Sequence, residues 1–322
     1  MKERDTSIDW LKLVAVLLII NSHLAPLYGK YDFLARGGVF GVALFFFCSG
    51  YTLFLKPLGG IRQFPNWYKR RISRIYPSVL AFAIITCTFL HDRQTINHII
   101  LHAHGWFVPC IMTYYIPIFF IGSYLKDKLR WVVFLQLLVV IGCFFHEYRE
   151  PGFFMYADPF QRIPFFMFML MGAMLGVSGG KIKVRPLVDA CLAVVSVVGY
   201  YLLLFLSMRS DRLAMMELLS YFPLMAFVYY SYKVFKADWA KRTYNRPAFQ
   251  WVIRVIGGLC LEIYLVQFKL ITDKLNHLFP LNFLIIFVGI ILLAYLTRCL
   301  ARWLLQTFGE APYDWRKIFS AK

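Results

Sequence analysis

Asn21, Ser22 and His23 stand side by side at the end of an apolar run, three residues before Pro26. Polar groups at membrane depth are costly, and ionisable ones there face a bundle interior or a wet cavity. Lys12 precedes His23 by 11 residues. At about 100° and 1.5 Å per residue the two share one helix face to within ~20°, some 16 Å apart. Asp9 falls within roughly 40° of the same line. One stripe thus carries an acid, a cation and an imidazole, and a histidine there can exchange protons near neutral pH as a general base. A histidine hydrogen-bonded between helices is the structural alternative. Pro26 crowds the carbonyl four residues back, so the helix is expected to loosen or end around His23. Asn21 points about 200° away from His23 on an ideal helix.

A second group of candidates lies in "WYKRRISRIYP", read as the end of a loop. Lys69, Arg70, Arg71 and Arg74, flanked by aromatics, suit phosphate groups with a planar ring nearby. A positive-inside anchor has much the same composition, but Arg74 is expected to enter an apolar span, where an unpaired guanidinium is expensive. In "GVALFFFCSGY", Ser49-Gly50 is placed to open a helix and offer a binding group. Close packing through Gly37 and Gly41 explains that stretch equally well. Glu262 sits inside an apolar span and needs a partner, for which Arg74 and Lys12 are candidates. Trp106, two residues after His104, is of the aromatic-belt type. His91, His98, His102 and His104 raise a metal site, but only Asp92 is near to complete the ligand set, so no metal is expected.

The elements that carry these residues are apolar helices. Of 322 residues 60% are hydrophobic, 19% aromatic and only 16% charged. Soluble domains are roughly 45–50% apolar and about 25% charged, so this is membrane-protein composition. Runs of about 17–25 apolar residues mark spans. Ten are expected, at 10–28, 37–55, 74–91, 106–124, 131–146, 161–178, 186–208, 213–234, 250–272 and 280–303. With the N-terminus inside, most of the 35 Lys and Arg fall on the inner side. That asymmetry supports cytoplasmic N- and C-termini and accounts for the net charge of +18 without nucleic acid. The fold class is therefore all-α, a polytopic helical bundle forming one membrane-embedded domain over residues 1–322. The seven cysteines form no CxxC pair and lie in or beside apolar runs, as buried hydrophobes do. No cleavable signal peptide is expected, because the first run lacks a small-x-small site.

Together these pieces resemble the integral-membrane acyltransferase family 3. The resemblance rests on the polar stripe ending at His23, then "GVALFFFCSGY", then "KRRISRIYP", in that order. It continues through "GWFVPCIMTYYIPIFFIG" from Gly105, "RIPFFMFMLMGAMLG" from Arg162 and "LEIYLVQF" from Leu261. Lys12 occupies the position of the family arginine, which ten intervening residues separate from the histidine; Arg71 and Arg74 match its Arg-x-x-Arg pair, and Gln267 replaces a common histidine. The resemblance implies a bacterial inner-membrane O-acyltransferase, often an O-acetyltransferase of cell-envelope carbohydrate. Acyl-CoA, commonly acetyl-CoA, would be the donor, its phosphates held by Lys12, Lys69, Arg70, Arg71 and Arg74. His23 would act as general base, with an acyl-imidazole as the covalent variant. Ser49, His104, Trp106, Glu262 and Tyr264 would line the site of a carbohydrate or lipid-linked sugar. The alternative is a transporter or flippase of a polysaccharide precursor. Such folds often have inverted repeats and paired broken helices, and the sequence indicates neither.

Overall fold

The computed structural model describes residues 5–92, 95–103, 105–147, 162–309 and 312–320, except for the side chains of His102, Glu147 and Asp211. Among them no strand occurs, and the chain folds as helices joined by short turns. In order these are α1 (Ser7–His23), α2 (Ala25–Tyr28), α3 (Gly38–Leu53), α4 (Phe64–Phe89), α5 (Ile96–His102), α6 (Phe107–Tyr124) and α7 (Leu129–Glu147). There follow α8 (Arg162–Val177), α9 (Pro186–Ser207), α10 (Met215–Lys236), α11 (Asp238–Tyr244), α12 (Pro247–Gly258), α13 (Cys260–Leu270), α14 (Leu281–Thr307) and α15 (Trp315–Ile318).

A helix lies at each of the ten expected positions. By length and composition, however, only 5 of the described helices can each cross a membrane, or 7 if each bent pair is one span. Both α3 and α8 are apolar but short. The two bent pairs are the first helix, broken after His23 by 63°, and α12–α13, broken at Leu259 by 71°. The first break is the one that Pro26 requires, since proline sits in the first turn of α2. The second has no proline; Gly257-Gly258 precede it and weaken the helix there. The sequence anticipated the first break but not the second, so a pair of broken helices occurs where none was indicated.

The basic segment corrects the sequence reading in another way. Residues 67–77 are not a loop. They lie in one 26-residue helix, α4, with Pro65 in its first turn. Proline is favoured there because its missing N–H is an orphan donor in any case. Lys69, Arg70 and Arg74 are exposed and Arg71 is half-buried.

The chain divides into two compact units. The first comprises Met1–Ala15, Val39–Ile61 and Pro117–Gln250. Its core is built on α3, buried along nearly its whole length. Glycines seat α3 against α8. A Cβ on Gly50 would lie 1.9 Å from the Met169 carbonyl oxygen, and one on Gly172 would lie 2.0 Å from that of Phe47. The helix therefore runs unbroken through Ser49-Gly50, and of the two readings of this stretch, an opened helix or close packing, the structure has the packing. Gly37 lies before α3 with a φ of +101°, so it serves as a turn residue. Phe40 meets Tyr200 and Phe227 edge-on at 4.9 and 4.7 Å, which ties α3 to α9 and α10. Asp189 on α9, only 1% exposed, pairs with Lys233 on α10 at 2.5 Å. The outward face of α9 keeps Val194, Val195, Val198, Leu202 and Phe205 exposed. Water would not tolerate such a continuous apolar face, but lipid does.

The second unit comprises Val16–Gly38, Arg62–Ile116 and Trp251–Lys322. Here α4, α13 and α14 pack on one another. Ser78, Glu262 and Arg298, one from each helix, meet in a buried polar contact. Along α14 Leu284, Val288, Leu292 and Leu296 form an exposed stripe of lipid-facing type.

Candidate active site

In the second unit the polar trio that ends α1 resolves into three roles. The Asn21 amide donates to the carbonyls of Leu34 and Arg36 at 2.9 and 3.0 Å and accepts from the Tyr28 hydroxyl at 2.6 Å. It is a clamp on the following turn and has no capacity left for an oxyanion. Ser22 donates to the Ile19 carbonyl within its own helix. The ring nitrogens of His23 have no hydrogen-bond partner among the described residues; its imidazole meets the Phe268 ring edge-on at 4.5 Å. A histidine serving as structural glue would be bonded, and this one is not.

Phe268 leads to the other aromatic candidates. On α13 it follows Tyr264 by one turn, the rings 6.5 Å apart. Tyr264 stacks obliquely on Phe107 at 5.2 Å, and its hydroxyl oxygen accepts from the Phe107 N–H at 3.2 Å. Gly105 permits this approach, since a Cβ there would lie 2.3 Å from the Tyr264 hydroxyl oxygen. Trp106, half-buried, adjoins the same ring at 5.9 Å. The structure thus joins His23, Phe268, Tyr264 and the Trp106–Phe107 corner into one chain of rings. His104 lies outside the described residues. Ser49 belongs to the first unit, half-buried on α3.

Glu262 is 3% exposed, and its partners are neither Arg74 nor Lys12. Ser78 donates to it at 2.7 Å, and Arg298 holds both its oxygens at 3.2 and 2.6 Å. Arg298 also donates to the Gly258 carbonyl, an acceptor freed at the α12–α13 break. On α4 the Arg71 guanidinium lies over Trp67 at 4.9 Å and near Tyr115 at 5.8 Å. Its buried Nε has no acceptor among the described residues, which fits an arginine awaiting an anion.

Lys12 lies in the first unit, in a cavity of about 810 Å³ whose lining includes Asp5, Asp9, Lys56, Lys236 and Lys241. Asp9 accepts from Tyr244 at 2.7 Å. Asp5, which the sequence reading passed over, is the hub of this cavity. It accepts from Ser7, Tyr51, Tyr232 and Lys236 at 2.5, 2.7, 2.9 and 2.5 Å. The one local signal was Asp-x-Ser just before an apolar run, a helix-start pattern. Burial raises the Asp5 pKa, but the bonds from Lys236, Ser7 and Tyr51 outweigh it and hold the carboxyl below its ordinary range. Its contribution to stability is therefore complete above about pH 4 and is lost as pH falls through the lowered folded value. Thermal unfolding of purified protein is expected to show Asp5→Asn less stable than wild type at pH 6, with the gap closing below about pH 4.

Among the described residues no three His, Cys, Asp or Glu side chains gather as a metal centre would require. His104 and the His102 side chain lie outside that set. No curated protein and no solved structure matches the chain. The family model for an acyltransferase domain, that of the acyltransferase 3 family, matches residues 5–299. It covers both broken helices, the Arg71 helix and the Glu262–Arg298 contact, and the chain belongs to the acyltransferase 3 family.

Proposed function

We propose that this integral membrane acyltransferase moves an acyl group, commonly acetyl, from cytoplasmic acyl-CoA to a hydroxyl of an envelope or lipid-linked carbohydrate. The observation that carries the reading is His23. It is an imidazole at a helix break inside a matched acyltransferase domain, half-buried, with no hydrogen-bond partner among the described residues. Neutral His23 takes the acceptor hydroxyl proton as the oxygen attacks the thioester carbonyl. The tetrahedral adduct then collapses, the C–S bond breaks, and the imidazolium returns the proton to the departing coenzyme A thiolate. Trp106 and Tyr264 fit a sugar acceptor, since aromatic faces stack on sugar rings and hydroxyls bond to their substituents. A ten-span arrangement with both termini in the cytoplasm, in a bacterial inner membrane, fits the Lys and Arg distribution.

The donor phosphates are assigned to Arg71, with Lys69, Arg70 and Arg74 on the same helix. Arg71 leads because its guanidinium is already stacked on Trp67 with Nε unbonded. A charge-assisted hydrogen bond contributes about 1.5–3 kcal/mol. Arg71→Ala is therefore expected to raise the KM for acyl-CoA about tenfold or more. Arg71→Lys should recover only part, because lysine lacks the planar fork. Transfer of radiolabel from acetyl-CoA to envelope glycans by purified, lipid-reconstituted protein tests the whole reading. Glycans that stay unlabelled with the wild-type protein would refute it.

A further inference from the structure

Gln267 on α13 is fully buried, and neither its Nε2 nor its Oε1 has a hydrogen-bond partner among the described residues. Buried amides are nearly always bonded, because an unmet donor or acceptor costs about 1–3 kcal/mol. A site that keeps one needs a reason.

The neighbours supply it. Tyr264, Gln267 and Phe268 fall within an arc of about 100° on α13, with Tyr264 and Gln267 one turn apart. Phe268 is the residue whose ring touches His23. The Tyr264 hydroxyl oxygen already accepts from the Phe107 N–H, and no described acceptor takes its own proton. Two polar groups with unmet hydrogen-bonding capacity therefore stand one helical turn apart, beside the aromatic contact of the base.

We infer that Gln267 is an acceptor-binding residue, its amide hydrogen-bonding two neighbouring hydroxyls of the carbohydrate, one as donor and one as acceptor. A primary amide presents both functions in one plane, which matches a vicinal diol. The thioester carbonyl offers only acceptor positions and would leave Oε1 unmet. Tyr264 donates to a further sugar oxygen. This assignment rests on the acyl-transfer reading given above.

Gln267→Met keeps the volume and removes both polar atoms. The test uses lipid-reconstituted full-length protein, radiolabelled acetyl-CoA and envelope glycan extracted from cells lacking the gene. Expected results are a Tm unchanged or raised by about 2–4 °C, a KM for the glycan extract raised about tenfold, and an unchanged KM for acetyl-CoA. A lowered Tm overturns the assignment, because the amide then has a partner within the protein. Unchanged glycan KM overturns it as well, and so does an equal rise in both KM values. An inactive wild type overturns the acyl-transfer reading itself and this assignment with it, whereas an active wild type beside an unaffected Gln267→Met variant removes this assignment alone.

Discussion

His23→Ala is expected to lower kcat/KM for acyl transfer by about 10²–10⁴-fold, the usual contribution of a positioned general base. Little loss of stability should accompany it. The imidazole makes no hydrogen bond to a described residue, so its removal leaves no protein partner unmet, only a ring contact with Phe268. The two readouts together separate catalysis from packing. A structural histidine would give a lowered Tm with residual activity in proportion to folded protein, whereas a base gives normal folding and lost turnover. The pH profile adds a third reading. A base works only when neutral, so kcat/KM should fall toward acid pH in the wild type, and that acidic limb should vanish from the residual activity of the variant. His23→Gln, which keeps a polar planar side chain without basicity, should be as inactive as alanine. Full activity of either variant would remove His23 from the mechanism. Were the route an acyl-imidazole, wild-type protein given donor but no acceptor would release one equivalent of coenzyme A in a burst that the His23→Ala variant lacks; a direct transfer gives no burst.

Sequence alone made the break after His23 legible because proline acts on its own helix, through a carbonyl four residues away. The same local character made α7, α9 and α14 visible within a few residues of their ends, since hydropathy is a property of each segment. What escaped was tertiary or cooperative. The α4 helix runs through its basic stretch although four cations in six residues read as a loop; Pro65 was the one sign that a helix starts there. The bend at Leu259 has only a glycine pair before it. Arg298 lies 36 residues from Glu262, and no periodicity links them. Asp5 gathers Tyr51, Tyr232 and Lys236 from far along the chain, which no local pattern encodes. At the candidate site, residue type singled out His23 for proposal, and the fold shows that its two polar neighbours are already bonded elsewhere.

Glu262→Ala is expected to destabilise the protein by about 3 kcal/mol, because it leaves the half-buried Arg298 without its counter-ion. Arg298→Ala should do comparable harm from the other side, leaving a carboxylate that is 3% exposed with the Ser78 hydroxyl as its one remaining side-chain hydrogen bond among the described residues. An exposed carboxylate such as Asp238, whose side chain is 86% exposed in its pair with Lys241, should tolerate alanine at about 0–1 kcal/mol. The informative variant is the double one. Taking both charges out with Glu262→Leu and Arg298→Met removes two desolvation penalties together with the attraction that offsets them. Buried ion pairs replaced in this way are often neutral or more stable. The expected double-mutant cycle therefore closes with a large favourable coupling, and the double variant recovers most of the stability lost in each single one. Activity should not recover with it. Arg298 also holds the Gly258 carbonyl at the bend that begins α13, the helix carrying Tyr264, Gln267 and Phe268. With methionine at 298 that carbonyl loses its donor, and the three side chains lose the anchor that sets their approach to His23. Recovered Tm with depressed turnover would mark this contact as a positioning device for the site. Recovery of both would reduce it to a replaceable part of the core.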